Sequence, residues 1–223
     1  MIFSIPSVLT TEELNFVAER IDDADFIDGK TTAGWHARLV KHNTQLKTQT
    51  TYTQDLKELV KTALWRNPLF QMAVQPKAVH SLLFSRYEVG MSYGTHVDNA
   101  LMGNQEKLRS DISLTLFLNN PANYQGGELV IESIEGERTF KLEAGEAVIY
   151  PSSTLHRVEP VTEGVRLVTV GWVQSFIRDP LKREILFDLD TARRSMFQKS
   201  GKTIEFDLIS KSHANLLRQW ADV

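Results

Sequence analysis

The sequence predicts a mainly β protein with flanking helices, an α+β chain whose core is a sandwich or jelly roll and whose C-terminal end is a helical appendage. Three observations carry this. From Val79 onward the apolar period changes to two, across His80 to Val89, Ile112 to Asn119, Glu128 to Ile134, Arg138 to Leu142, Ala147 to Tyr150 and Val165 to Phe176. Turn residues separate those segments at short intervals, as in Asn119-Asn120-Pro121, Gly126-Gly127 and Glu135-Gly136. From Asp179 the turns stop, and Leu181, Ile185, Leu186, Leu189 and Met196 recur among charges.

In chain order, Thr10 or Thr11 precedes Glu12 and Glu13, and Leu14, Val17, Ala18 and Ile21 follow at helical spacing, a capped amphipathic helix over 10–22. Phe26 to Gly34 reads as a loop, and Trp35 to His42 as a strand. A second helix over 55–65 places Leu56, Leu59, Val60, Ala63 and Leu64 on one side and stops at Asn67-Pro68. After the β segments, Gly201 divides the tail from a last helical stretch, Ile204 to Trp220. The expected division is a domain over 1–177, with its jelly-roll core at 79–177, and an appendage over 178–223.

Composition narrows the function. The 223 residues are 42% hydrophobic and 24% charged, as in a globular protein with a substantial core. A net charge of -3 gives no electrostatic case for nucleic acid. With no cysteine, disulfides, thiolate metal sites and cysteine nucleophiles are excluded. No apolar run approaches a membrane span, and Met1 to Leu9 lacks the marks of a secretory signal, so a cytoplasmic location is expected.

The chemistry centres on Thr95-His96-Val97-Asp98-Asn99 and the later His156. In an extended segment His96 and Asp98 point to one side and can close on one ion. Two imidazoles and a carboxylate leave coordination positions open, which suits non-haem Fe(II) oxygenase chemistry better than structural zinc. Alone, a His-x-Asp is weak, and a histidine at a strand end is commonly a hydrogen-bonded edge residue.

Arg166 adds weight. A hairpin through Thr162-Glu163-Gly164 pairs Val161 with Val165 and His156 with Val170, which puts Arg166 on the face of His156, roughly 13 Å along the strand. An inward guanidinium between Val165 and Leu167 needs an anion. Glu159 or Glu163 would serve, and so would a ligand carboxylate gripped by two parallel hydrogen bonds. His36, His42, His80 and His213 lack a partner at ligand spacing, and Trp172 reads as core rather than a substrate platform.

The set His96-x-Asp98, His156 and Arg166 resembles the signature of the prolyl-4-hydroxylase-like Fe(II)/2-oxoglutarate dioxygenases. Three longer strings resemble more narrowly the bacterial PKHD-type hydroxylases: Arg86 to Ala100, Tyr124-x-Gly126-Gly127-Glu128-Leu129 and His156-Arg157-Val158-x-Pro160-Val161. The likeness runs almost end to end. It implies a double-stranded β-helix of the cupin-like kind, Fe(II) held by His96, Asp98 and His156, and 2-oxoglutarate on the metal with its far carboxylate on Arg166. It also implies C–H hydroxylation coupled to decarboxylation of 2-oxoglutarate to succinate, with ascorbate as a candidate reductant. Tyr87 and Tyr93 match tyrosines that line the co-substrate pocket in relatives, and strand packing explains them equally well.

One departure stands out. Where animal prolyl hydroxylases place a tyrosine on the far carboxylate this chain has Phe117, so Arg166 would need help from Ser113, Thr115 or Tyr87. Asp98, in place of alanine or glycine, fills the position left open for halide in related halogenases, which favours hydroxylation. A non-catalytic sensor of iron or 2-oxoglutarate and a zinc hydrolase are the competing readings. The substrate, a small molecule or a peptide, would be chosen by the loops Phe26 to Gly34 and Ala100 to Ser110. The apolar stripe of the tail could serve a homo-oligomer interface as well as the core.

Overall fold

The computed structural model describes residues 1–22, 24–48, 50–103 and 107–223. In chain order the elements are β1 (Phe3–Ile5), α1 (Thr11–Asp22), β2 (Phe26–Asp28), β3 (Lys41–His42), β4 (Thr44–Leu46), α2 (Thr51–Arg66), α3 (Pro68–Val74), β5 (Pro76–Tyr87) and β6 (Ser92–His96). There follow β7 (Leu101–Met102), β8 (Leu108–Arg109), β9 (Ile112–Phe117), β10 (Tyr124–Gly126), β11 (Leu129–Ser133), β12 (Gly136–Phe140) and β13 (Ala147–Pro151). The chain closes with β14 (His156–Val158), β15 (Val161–Gly164), β16 (Arg166–Ser175), α4 (Pro180–Ser200) and α5 (Ile204–Trp220).

The strands form an antiparallel jelly roll. A seven-stranded sheet runs β1-β13-β9-β16-β5-β4-β2 and a five-stranded sheet runs β12-β11-β14-β6-β3, with two short ribbons, β10-β15 and β7-β8. Strand β9 shows how the sequence builds three layers. All six of its residues are buried. Ile112, Leu114 and Leu116 join the cluster made with Val17 and Ile21 of α1, Leu56, Val60 and Leu64 of α2, and Phe70 of α3. Phe117 instead joins the cluster between the sheets, with Leu129, Ile131, Val158 and Val168. Period two therefore gives this strand two apolar duties and leaves Ser113 and Thr115 facing the interior.

Several expected boundaries move. The second helix starts at Thr51, where Thr50 accepts a hydrogen bond from the Thr53 amide, and ends at Arg66. Asn67-Pro68 does not simply stop it. Asn67 caps α3 by accepting from the amides of Leu69 and Phe70, and Pro68 takes the first-turn position where its missing N–H costs nothing. Trp35 to His42 is a strand only at Lys41–His42, and Ala37–Leu39 is a 3-10 turn. The expected loop from Phe26 contains β2 and another 3-10 turn, Gly29–Thr32. Of the loop Ala100 to Ser110, residues 104–106 lie outside the described residues.

The expected β14–β16 hairpin does not form. His156 pairs with His96 and Ile131, whereas Val170 pairs with Leu83 and Thr115, so the two strands lie in different sheets. Gly164 has the expected positive φ of 71°, but its use is different. A Cβ there would sit 2.1 Å from the Asn123 carbonyl oxygen, because β15 crosses between sheets packed against β10. His156 and Arg166 still face one interior, from opposite walls rather than along one strand.

The tail is helical from Pro180 to Ser200 and from Ile204 to Trp220, with Asp179 and Thr203 as N-caps. It is tied to the β layers at both ends. The Phe187 ring meets that of Phe3, Leu186 is fully buried, and Asp222 accepts from Arg109 while its amide donates to Phe176. Among the described residues no helix is long and apolar enough to cross a membrane. Truncating Leu186 to Ala is expected to cost about 2–5 kcal/mol, read as a lower midpoint in urea unfolding followed by circular dichroism.

Candidate active site

His96 ends β6 and His156 opens β14, and the two residues lie directly across from each other in the ladder. Asp98 follows two residues past the strand end, in non-repetitive chain. One ligand atom from each of the three lies within 4.8 Å of the others. The imidazole rings are 4.2 Å apart, and His156 Nε2 is 3.8 Å from Asp98 Oδ2.

Backbone carbonyls set the tautomers. His96 Nδ1 donates to the Gly94 carbonyl at 2.8 Å, and His156 Nδ1 donates to the Thr154 carbonyl at 3.0 Å. A carbonyl only accepts, so each Nδ1 carries the proton and each Nε2 presents a lone pair. Burial, and then the neighbouring His156, pull His96 down to about 4, so it is neutral near pH 7. Ser113 donates to Asp98 Oδ2 at 2.6 Å and lies 2.8 Å from Ser152 Oγ, which fixes the carboxylate from behind. The donor set thus fits a divalent cation: two imidazole Nε2 atoms, one carboxylate, and outer hydrogen bonds that orient all three. Ser113, expected to help Arg166 with the co-substrate, hydrogen-bonds Asp98 and also lines the cavity.

Gly94 explains part of the local sequence. Its amide donates to the Val40 carbonyl, its own carbonyl holds His96, and a Cβ on it would lie 2.8 Å from Val40 Cβ. No larger residue could make that approach. Tyr93, on the same strand, stacks on His96 with ring centroids 3.6 Å apart and shares the cavity with Tyr87 and Arg166. Burial, and then the charge of Asp98, push its hydroxyl well above the ordinary range.

Arg166 is 1% exposed, and among the described residues none of Nε, Nη1 and Nη2 has a hydrogen-bond partner within the usual distance. Its carbon Cζ lies 5.0 Å from the Tyr87 ring and 5.6 Å from the Phe117 ring. Glu159 and Glu163, the protein carboxylates considered for it, are elsewhere: Glu159 pairs with Arg157 and Glu163 is exposed on β15. The Tyr124-x-Gly126-Gly127 string is explained here. A Cβ on Gly127 would stand 3.0 Å from Arg166 Cδ, so glycine admits the arginine stem, and Tyr124 packs beside it with its buried hydroxyl close enough for the Arg166 charge to act on it.

These groups line one cavity of about 700 Å³. His96, Asp98 and His156 share it with Arg166, Tyr87, Tyr93, Ser113 and Thr115. Sequence reasoning missed Tyr150, whose ring lies 5.0 Å from that of His156, although its alternation with the inward Val148 was a usable signal. Trp172, expected in the core, is only half-buried and lines the cavity with its buried Nε1 unpartnered. Missed also was Lys41, 5% exposed on the cavity wall, its ammonium over the Tyr93 ring at 5.1 Å. Burial pulls Lys41 down to about 8, against the charges of Asp98 and Asp28.

Residues 82–174 match the 2OG-Fe(II) oxygenase superfamily, and that span holds the three ligands and Arg166. The chain is 64% identical over 222 residues, the whole of both proteins, to a PKHD-type hydroxylase of Acaryochloris marina. The chain belongs to the PKHD-type hydroxylases. A second member, from Rippkaea orientalis, is 62% identical over 99% of each chain. Solved structures share the fold at low identity. A prolyl-4-hydroxylase from Pseudomonas putida superposes with a TM-score of 0.51 at 19% identity, over 78% of this chain and 92% of its own. A prolyl hydroxylase from Trichoplax adhaerens, solved with a peptide fragment of the hypoxia inducible factor oxygen degradation domain, gives 0.57 at 14%, over 78% and 83%. As a PKHD-type hydroxylase, the protein is an oxygenase dependent on Fe(II) and 2-oxoglutarate.

Ser113→Ala is expected to weaken metal binding by about 10–100-fold, measured by Mn(II) titration as an oxidation-resistant stand-in for Fe(II). The His96 imidazole takes up its proton near 6.5 when unfolded and near 4 when folded, so in between the unfolded chain holds more protons. Stability of the metal-free protein should therefore fall as pH drops from 6.5 toward 4, and His96→Gln should flatten that slope in urea titrations.

Proposed function

We propose that this PKHD-type hydroxylase binds Fe(II) through His96 Nε2, Asp98 and His156 Nε2, receives the far carboxylate of 2-oxoglutarate on Arg166, and hydroxylates a C–H bond of a substrate seated in the rest of the cavity. The observation that carries this is Arg166. A guanidinium buried with three unpartnered nitrogens, in the cavity that the ligand triad lines, calls for a carboxylate. Phe117 offers no hydroxyl there, and the aromatic faces of Tyr87 and Phe117 flank the guanidinium. Thr115 and the hydroxyl of Tyr87 complete the polar wall.

When bound, Fe(II) and 2-oxoglutarate supply the oxidising power, oxygen being reduced as the co-substrate is cleaved to succinate and carbon dioxide and the substrate gains a hydroxyl. The protein's own part is geometric. The two carbonyl-fixed imidazoles hold their lone pairs in place, Ser113 prevents Asp98 from rotating, and Arg166 sets which length of diacid fits. The apolar walls, Leu129, Val158 and Val170 among them, keep water from the reacting centre. Ascorbate, as the reductant that returns oxidised metal to Fe(II), and the cytoplasm as the site of action belong to the same reading.

Anaerobic addition of Fe(II) and 2-oxoglutarate should produce a visible metal-to-ligand charge-transfer band, absent in His156→Ala. Arg166→Gln should keep metal binding and weaken 2-oxoglutarate by about two orders of magnitude, the usual consequence of removing one partner of a buried charge pair. A wild-type protein with no band under these conditions would sink the assignment. Succinate formed in step with a hydroxylated product would set aside a non-catalytic sensor.

A further inference from the structure

The cavity is larger than a five-carbon diacid fills, and the charged side chains left over on its wall are cationic. Among the described residues that line it, the charged ones are Lys41, Lys57, Lys107, Arg166 and Asp98. With Asp98 on the metal and Arg166 on the co-substrate, none of the lysines forms an ion pair with a carboxylate of the described residues, and the charges of Asp98 and Asp28 reach Lys41 only across a longer gap. Lys57 on α2 is half-buried and forms no hydrogen bond or ion pair with the metal ligands, and Lys107, exposed beside β8, is satisfied by the Gly103 carbonyl at 2.6 Å. Lys41 is different.

Strand β3 adds Lys41 to the edge of the five-stranded sheet directly opposite Tyr93, the residue that stacks on His96. Its ammonium is buried, yet its one hydrogen bond in the described structure goes to the neutral Thr32 hydroxyl at 3.1 Å. Thr32 in turn donates to Gln45 Oε1 at 2.6 Å, so this hydroxyl is held with its oxygen toward the lysine. Two N–H donors of a desolvated cation are left to the cavity, a costly arrangement unless an anion takes them. Trp172 Nε1, buried and unpartnered on the opposite sheet, is another waiting donor.

We propose that Lys41 is a substrate-recognition residue, and that the group it recognises is a carboxylate carried by the substrate and held beside the open side of the metal site, with Trp172 Nε1 as a further donor. This rests on the iron and 2-oxoglutarate reading, because it assigns Arg166 and the triad to other partners. A single ammonium with an indole N–H matches a monoanion with two acceptor oxygens. The carboxylate can belong to a free acid or to an acidic side chain of a peptide, since Lys41 meets the same group in both.

The test uses protein loaded anaerobically with Fe(II) and 2-oxoglutarate, whose charge-transfer band reports on the parent reading alone. N-acetylglutamine and the capped dipeptide Ac-Pro-Glu-NH2, each with one carboxylate, are titrated against their amide counterparts, Ac-Gln-NH2 and Ac-Pro-Gln-NH2, with binding followed by calorimetry. At least one acid should bind about tenfold or more tightly than its amide, and which acid does so separates free from peptide-borne carboxylate. Lys41→Met should erase the preference and Lys41→Arg should retain it, with the band intact in both. Equal binding of acids and amides, no binding of either acid, or a preference that survives Lys41→Met would overturn the proposal. So would loss of the band in Lys41→Met, which would assign the lysine to the co-substrate itself. If the wild-type band is missing the parent reading fails separately, and the same calorimetric comparison on metal-free protein still decides the role of Lys41.

Discussion

A guanidinium sealed inside a β-barrel with no anion beside it is the constraint on which the rest of this structure turns. Arg166 is as buried as the leucines around it, and the fold accommodates it without a protein carboxylate. That arrangement is stable only when something else brings the negative charge. The surrounding sequence serves it: Gly127 clears its stem, Tyr87 and Phe117 cover its faces, and Tyr124 packs behind it. On the proposed reading, the triad across the cavity and Arg166 together set the length of the acid that bridges them.

The metal side is stabilised by different means. Each imidazole is clamped by the carbonyl two residues before it, a local bond that forms as soon as the strand end does. The carboxylate is clamped from β9, by a serine fifteen residues away in sequence. The centre therefore depends on short-range contacts for its nitrogens and on sheet pairing for its oxygen. Disturbing β9 would loosen Asp98 while leaving both histidine tautomers in place.

Much of this was legible in sequence because it follows from local pattern. The alternation of Ile112, Leu114 and Leu116 against Ser113, Thr115 and Phe117 can be read without a structure, as can the tail helices between Asp179, Gly201 and Trp220. What failed depended on distant partners. A three-residue hairpin was the local solution for Val161 to Val165, but β15 finds β10 and hands the chain to the other sheet. Asn67-Pro68 ends one helix and begins the next, and both roles use the same residues. Lys41 gave no signal of its own, because its burial is created by β6, a strand that joins it from elsewhere in the chain.

Strand β9 has one more consequence. None of its six residues reaches water. Random substitution over evolutionary time settles mostly on solvent-facing positions, and here there are none: one set of side chains is held by helices, the other by the reacting centre. The rim of the cavity carries no such double constraint: Thr32 and Leu101, which line it, are exposed. A chain of this design can change what it acts upon far more readily than how it acts.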